Sequence, residues 1–290
     1  MSDLAPHRQG ALALDGHSIH WEYFGKGDRE AVVLLNGLAM HCKAWYGFLP
    51  RLLPELDVVL YDYPGQGESS AHDVPCSIDR IAGYLKDVLD AAEVERAHVM
   101  GISYGGFVGL EFARQFQERL HTLTLSGILL SHEQLFEMYE ALSLRFYRGG
   151  PLAFEIYTHY MYEKIFGEAF VRAVGPQQLE TLRARFHDRY KDQVHSLTRL
   201  TEAQDPFFAA LDGRLPEYRS IRTPTLIMAG AEDRAIPPWV QEKLTGILPS
   251  TRFELVPDCG HVVYIEKPDL FFDNLLRFAA AKSLDFQEGA

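Results

Sequence analysis

A serine set between two glycines, Gly101-Ile-Ser103-Tyr-Gly105, falls where an apolar run, residues 97–100, gives way to a helix-like stretch, residues 107–116. A sharp turn from strand to helix with an exposed side chain at its apex needs strained backbone angles. Side chains at 101 and 105 would collide with each other and with the strand, and glycine at both positions removes the clash. Ser103 is therefore the candidate nucleophile. The alternative is an ordinary glycine-rich turn before a helix.

The rest of the chain supplies a sheet for such a turn. Asp15-Gly16 lies between residues 11–14 and 19–24 and predicts an amino-terminal hairpin, because Asp-Gly provides the positive backbone angles of a tight turn. Short apolar runs at 31–36, 58–61, 97–102, 122–126, 225–229 and 253–256 read as strands buried on both faces of a parallel sheet. Helical spacing falls between them, as in Trp45, Phe48, Leu49 and Leu52, then Ile81, Tyr84, Leu85, Val88 and Leu89, then Leu270, Phe271, Leu275, Leu276 and Phe278. Alternating strands and helices make an α/β fold.

Residues 132–218 break the alternation, with helical spacing and no convincing strand. They read as a helical cap inserted into a core formed by residues 1–131 and 219–290. Gly149-Gly150-Pro151, Gly175-Pro176 and Asp205-Pro206 mark its internal boundaries. The cap carries Phe136, Tyr139, Phe146, Tyr147, Phe154, Tyr157, Tyr160, Tyr162 and Phe166. Most of these read as internal packing, with a minority facing a pocket. A lid over the sheet's carboxyl edge would exclude water and offer apolar surface to a small acyl ligand.

The 290 residues carry a formal charge of −12, which argues against nucleic acid as a general partner, since phosphate binding needs a cationic face. No apolar stretch is long enough to span a bilayer, and residues 1–7 lack the basic start and apolar core of a secretion signal. A cytoplasmic protein is the expectation. Cys42, Cys76 and Cys259 are odd in number and lack metal-ligand spacing, so reduced thiols are expected and no metal site. The oligomeric state stays open.

A nucleophilic serine needs a base and a third group that fixes the base's tautomer. Asp233 lies in the loop after the strand at 225–229, and His261 in the loop after the strand at 253–256. Open α/β sheets place functional groups at that edge. Asp233 is the candidate orienting acid, with Glu232 and Glu133 as alternatives, and His261 the candidate base. Cys259 reads as a bystander thiol. A tetrahedral intermediate also needs N–H donors for its oxyanion. The Tyr104 amide at the helix start is one candidate, and the Leu38 amide after the turn Asn36-Gly37 is the other. No cofactor is called for.

Taken in order, Asn36-Gly37 with Trp45, Asp62-Tyr-Pro-Gly-Gln-Gly-Glu-Ser69, the turn around Ser103, Gly230-Ala-Glu-Asp-Arg-Ala-Ile-Pro237 and Gly260-His261 with Glu266-Lys-Pro268 resemble the α/β-hydrolase superfamily, in its subset with an inserted cap. The order Ser, Asp, His is the family's order. Serine at 103 sets the chain apart from haloalkane dehalogenases and epoxide hydrolases, which have aspartate there. Asn36 replaces a histidine common in the family. Residues 33–40 and, distantly, 179–190 are also similar to the acyltransferase that joins two hydroxyacyl chains in rhamnolipid biosynthesis. The resemblance implies a serine hydrolase of a small or medium apolar carboxylic ester, thioester or lactone, acting through an acyl-enzyme. The alternatives it leaves are an acyltransferase with an alcohol acceptor and a ligand receptor that keeps the fold.

Overall fold

The computed structural model of the chain describes residues 4–70 and 75–287. Residues 1–3, part of the stretch read above for a secretion signal, lie outside the described residues. β1 (Arg8–Leu14) and β2 (His17–Phe24) pair antiparallel, with Leu14 opposite His17. Asp15 and Gly16 between them take φ of 50° and 84°, as a two-residue hairpin loop requires. β2 also pairs antiparallel with β4 (Asp57–Tyr61).

Every other pairing is parallel. β3 (Ala31–Leu35) lies between β4 and β5 (Ala97–Ile102), followed by β6 (Leu120–Ser126), β7 (Thr225–Gly230) and β8 (Thr251–Val256). The order across the sheet is β1-β2-β4-β3-β5-β6-β7-β8. Parallel direction brings the carboxyl ends of β3, β5, β6, β7 and β8 to one edge.

Apolar residues fill both faces of the central strands. Ala31, Val33 and Leu35 join one core with α2 (Ile78–Ala91) and α3 (Tyr104–Phe116). Val32 and Leu34 join the other with α1 (Leu49–Leu52) and α12 (Pro268–Ala281). Between β6 and β7 come six helices: α4 (Gln134–Arg148), α5 (Pro151–Ile165), α6 (Glu168–Val174), α7 (Pro176–Tyr190), α8 (Val194–Glu202) and α9 (Asp205–Tyr218). Gly150 and Gly175, at φ of 87° and 78°, precede the prolines that open α5 and α7. Proline is tolerated there because a first-turn N–H has no partner to lose. Two shorter helices, α10 (Pro238–Glu242) and α11 (Val263–Glu266), follow β7 and β8.

Two expectations need correction. Residues 45–52 do not form one helix: a 3-10 turn, Cys42–Ala44, is followed by the single turn of α1, because Pro50 can only occupy a helix's first turn. β8 is an edge strand rather than one buried on both faces; Leu255 is 55% exposed and only Val256 is buried. Among the described residues no helix is long and apolar enough to cross a membrane.

Candidate active site

Ser103 stands between β5 and α3 with φ 49° and ψ −120°, a conformation that costs a non-glycine residue about 1–3 kcal/mol. Its amide donates to the Ser126 carbonyl at 2.8 Å, and its own carbonyl accepts from the Gly106 amide at 2.7 Å. A Cβ at Gly101 would lie 2.4 Å from the Gly105 carbonyl oxygen. At Gly105 it would lie 2.5 Å from the Leu35 carbonyl oxygen, so this second clash is with the neighbouring strand β3. Both glycines thus let the turn pack directly on sheet backbone. Ser103 is left partly accessible and lines a cavity of about 250 Å³ between the sheet edge and the inserted helices.

His261 lines the same cavity. Its Nδ1 is 2.8 Å from Asp233 Oδ2, and both side chains are buried. The carboxylate assigns the proton to Nδ1 and leaves Nε2 as the basic nitrogen. Burial by itself lowers the imidazole pKa, but the charge and hydrogen bond of Asp233, with the Glu266 charge, outweigh it and hold the pKa above the ordinary histidine value. Asp233 is fixed in turn: Oδ1 accepts from the Ala235 and Ile236 amides at 2.9 and 2.8 Å, and Oδ2 from Gln241 Nε2 at 3.0 Å.

The alternative acids are engaged elsewhere. Glu133 meets Lys243 and Ser131, while Glu232 accepts from the Glu168 amide. Cys259 is outside the cavity wall, and burial pushes its thiol pKa up. It is a packed thiol.

Two residues at this site carry no motif. Gln241, fully buried on α10, bridges Asp233 to the Gly127 amide, which donates to its Oε1 at 2.9 Å. Gly127, at φ 65°, lies flat against the imidazole, and a Cβ there would be 2.5 Å from His261 Cε1. A glycine directly after β6 was the only available sequence signal for either.

The turn after β3 is held from below. Asn36 Nδ2 donates to the Tyr61 carbonyl at 3.0 Å and its Oδ1 accepts from Trp45 Nε1 at 2.7 Å, so asparagine fixes the turn through β4 and an indole. A Cβ at Gly37 would be 3.8 Å from Ser103 Cβ, which puts the turn beside Ser103. Leu38 and Tyr104 both line the cavity. The Tyr104 amide opens α3, where an N–H has no intrahelical partner.

Six of the nine cap aromatics named above line the cavity: Phe136, Tyr139, Tyr147, Tyr157, Tyr162 and Phe166. The expectation that most are internal packing is reversed, although Tyr147 and Tyr157 also pack against Phe154. Among the described residues, no Lys or Arg is in the wall. The insertion is fastened to the His261 loop. The His261 amide donates to the Ile165 carbonyl at 2.7 Å, and a Cβ at Gly260 would be 2.5 Å from the Gly167 nitrogen. Glu266 Oε2 accepts from the Gly260 and Gly167 amides at 3.0 and 3.1 Å. Among the described residues, His20, Glu22 and Cys42 alone form a cluster with metal-ligand spacing. None of them lines the cavity, and burial pushes the Cys42 thiol pKa far up.

The profile of the α/β-hydrolase fold family matches residues 30–268. The chain is 29% identical over 261 residues to a provisionally named carbamate hydrolase, RutD, of Azorhizobium caulinodans, covering 90% of this chain and 94% of that one. It is 27% identical over 297 residues to the 2-hydroxy-6-oxononadienedioate/2-hydroxy-6-oxononatrienedioate hydrolase of Paraburkholderia phymatum, covering 96% and 99%. The crystal structure of an α/β-hydrolase enzyme from a Medee basin deep-sea metagenome library superposes with a TM-score of 0.85 at 23% identity, over 96% of this chain and 100% of that one. With this sheet order, this helical insertion and a profile match over most of its length, the chain belongs to the α/β-hydrolase family and is a hydrolase of that fold.

Proposed function

We propose that this chain is a serine hydrolase that cleaves small or medium neutral, apolar carboxylic esters, thioesters or lactones through an acyl-enzyme. The observation that carries this reading is the buried Asp233–His261 pair at 2.8 Å, which shares one largely aromatic cavity with the strained Ser103. Ser103 Oγ attacks the carbonyl carbon while His261 Nε2 takes its proton, then passes it to the leaving alcohol. Water repeats the sequence on the acyl-enzyme, with His261 again as base. Asp233 keeps the imidazole in the tautomer that attack requires. The Leu38 and Tyr104 amides are the donors to the oxyanion. No step calls for a cofactor.

The cavity wall supports neutral substrates. The dioates in the name of the P. phymatum relative carry two carboxylates. Desolvating a carboxylate without a cation costs several kcal/mol, and the wall here offers neither Lys nor Arg. Intact-mass spectrometry after a small fluorophosphonate probe tests the nucleophile, with one adduct expected on the native chain and none on Ser103→Ala. A panel of esters, thioesters, lactones and dioates, with and without alcohol acceptors, tests the class. Labelling of Ser103→Ala, or faster turnover of dioates than of neutral esters, overturns the reading.

A further inference from the structure

One group in the cavity wall has no part in that chemistry. α4 carries Glu140 into the lining, among Phe136, Tyr139 and Tyr147. Its Oε1 accepts from Gln204 Nε2 at 2.7 Å, and among the described residues its Oε2 has no hydrogen-bond partner. Burial, with the like charges of Asp205 on α9 and Glu137 on its own helix, pushes its pKa up to about 8. The other titratable groups beside it in the wall are Tyr139 and Tyr147, whose hydroxyls burial also keeps protonated. Near pH 7 Glu140 is therefore mainly a neutral acid, with one oxygen holding Gln204 and an O–H left to donate. A ligand that displaces solvent from that group does so at a cost unless it bonds to it in turn.

We propose that Glu140 is a specificity-determining residue: it donates a hydrogen bond to a neutral oxygen, a hydroxyl or keto group, borne on the acyl chain away from the scissile carbonyl, and it excludes chains ending in carboxylate. This rests on the ester-hydrolase reading. A hydroxyl or ketone accepts from the carboxyl O–H without bringing charge. A carboxylate would add a charge where the lining residues include neither Lys nor Arg.

The test measures binding by calorimetry to Ser103→Ala, which needs no catalysis. The ligands are matched methyl esters carrying methylene, hydroxyl or keto at successive carbons, plus a terminal carboxylate. At the best position, hydroxyl and keto esters are expected to bind about fivefold to tenfold tighter than the plain chain, the range of one net hydrogen bond. The carboxylate is expected to bind at least tenfold weaker. Adding Glu140→Leu reverses the preference toward the plain chain, while Glu140→Gln, whose amide still donates, keeps most of it.

The pH dependence distinguishes recognition from mere support of Gln204. Preference for keto fades as pH rises through about 8, because an ionised carboxylate no longer donates. Preference for hydroxyl persists, because the hydroxyl can become the donor. Glu140→Gln shows neither change, and it carries the test if Glu140→Leu fails to fold. Equal binding of plain, hydroxyl and keto esters across the whole scan overturns the inference, as does a preference that Glu140→Leu leaves intact. Selective binding with no turnover by the native chain overturns the hydrolase reading instead and leaves the role of Glu140 standing.

Discussion

Ser103 occupies backbone angles that glycine adopts freely and serine does not, φ 49° and ψ −120°. Ser103→Ala and Ser103→Gly are both expected to lower turnover by several orders of magnitude, since each lacks the nucleophile. They differ in stability. Glycine costs roughly 0.5–1 kcal/mol against alanine in regular structure, but here it relieves strain, so Ser103→Gly is expected to melt no lower than Ser103→Ala. A clearly lower melting temperature would mean that the turn is not strained.

His261 gives a second prediction at this scale. Its pKa is raised, and in the proposed mechanism the neutral imidazole is the base, so kcat/KM is expected to rise with pH through a value above about 6.5. Asp233→Asn is expected to move that limb to lower pH and to reduce the plateau by roughly 10⁴. The stability effect has the opposite sense, because folding favours the protonated form. The pair's contribution is full below about pH 6.5 and is lost as pH rises through the folded pKa. Melting curves of the native chain and Asp233→Asn should therefore converge with rising pH. A crippled Glu133→Gln beside a near-normal Asp233→Asn would move the acid elsewhere. That Ser103, Asp233 and His261 stand at one sheet edge was legible in the sequence because each follows a strand. Glu140 was not: it reads as one polar position on an amphipathic helix, and only the packing of α4 turns it toward the cavity.

Among the elements, α10 has an unexpected part. Gln241 on it reaches back eight residues to Asp233 and across to β6's end at Gly127. Gln241→Leu removes one of four donors to the carboxylate, leaving the two amides and His261 to hold it. It is expected to lower kcat about tenfold to a hundredfold with little change in KM, because a shift of the acid misaligns the base rather than the substrate. A rise in KM alone would place Gln241 in substrate binding. Its own position carries no pattern, since its partners come from two separate parts of the chain, residue 127 and residues 233–236. β8 was misread for a related reason: its short apolar run looks like a central strand, and edge position is a property of the sheet, not of the segment. In the stretch 45–52 helical spacing alone does not show where a helix begins, whereas Pro50 confines it to a start near that residue.

For the molecule as a whole, the insertion makes a chamber over the sheet edge. In a series of straight-chain esters, kcat/KM is expected to rise by up to about fourfold per methylene, the equivalent of ~0.8 kcal/mol, until the cavity of about 250 Å³ is filled. Phe136→Ala and Tyr162→Ala are expected to move the optimum to longer chains while Ser103 still reacts with the small fluorophosphonate. A flat length profile would assign these aromatics to packing alone. The sheet and the presence of a helical insertion were legible because periodicity and strand runs are local. Where the cap's aromatic faces pointed was not, since helical spacing identifies an apolar face without saying whether that face meets another helix or an open chamber.

The contact between Ile165 and the His261 amide reaches further than its single hydrogen bond suggests. A lid riveted to the strap that bears His261 cannot swing up on that side without moving the imidazole with it. If His261 is the base, whatever loosens that rivet also disturbs the proton's carrier.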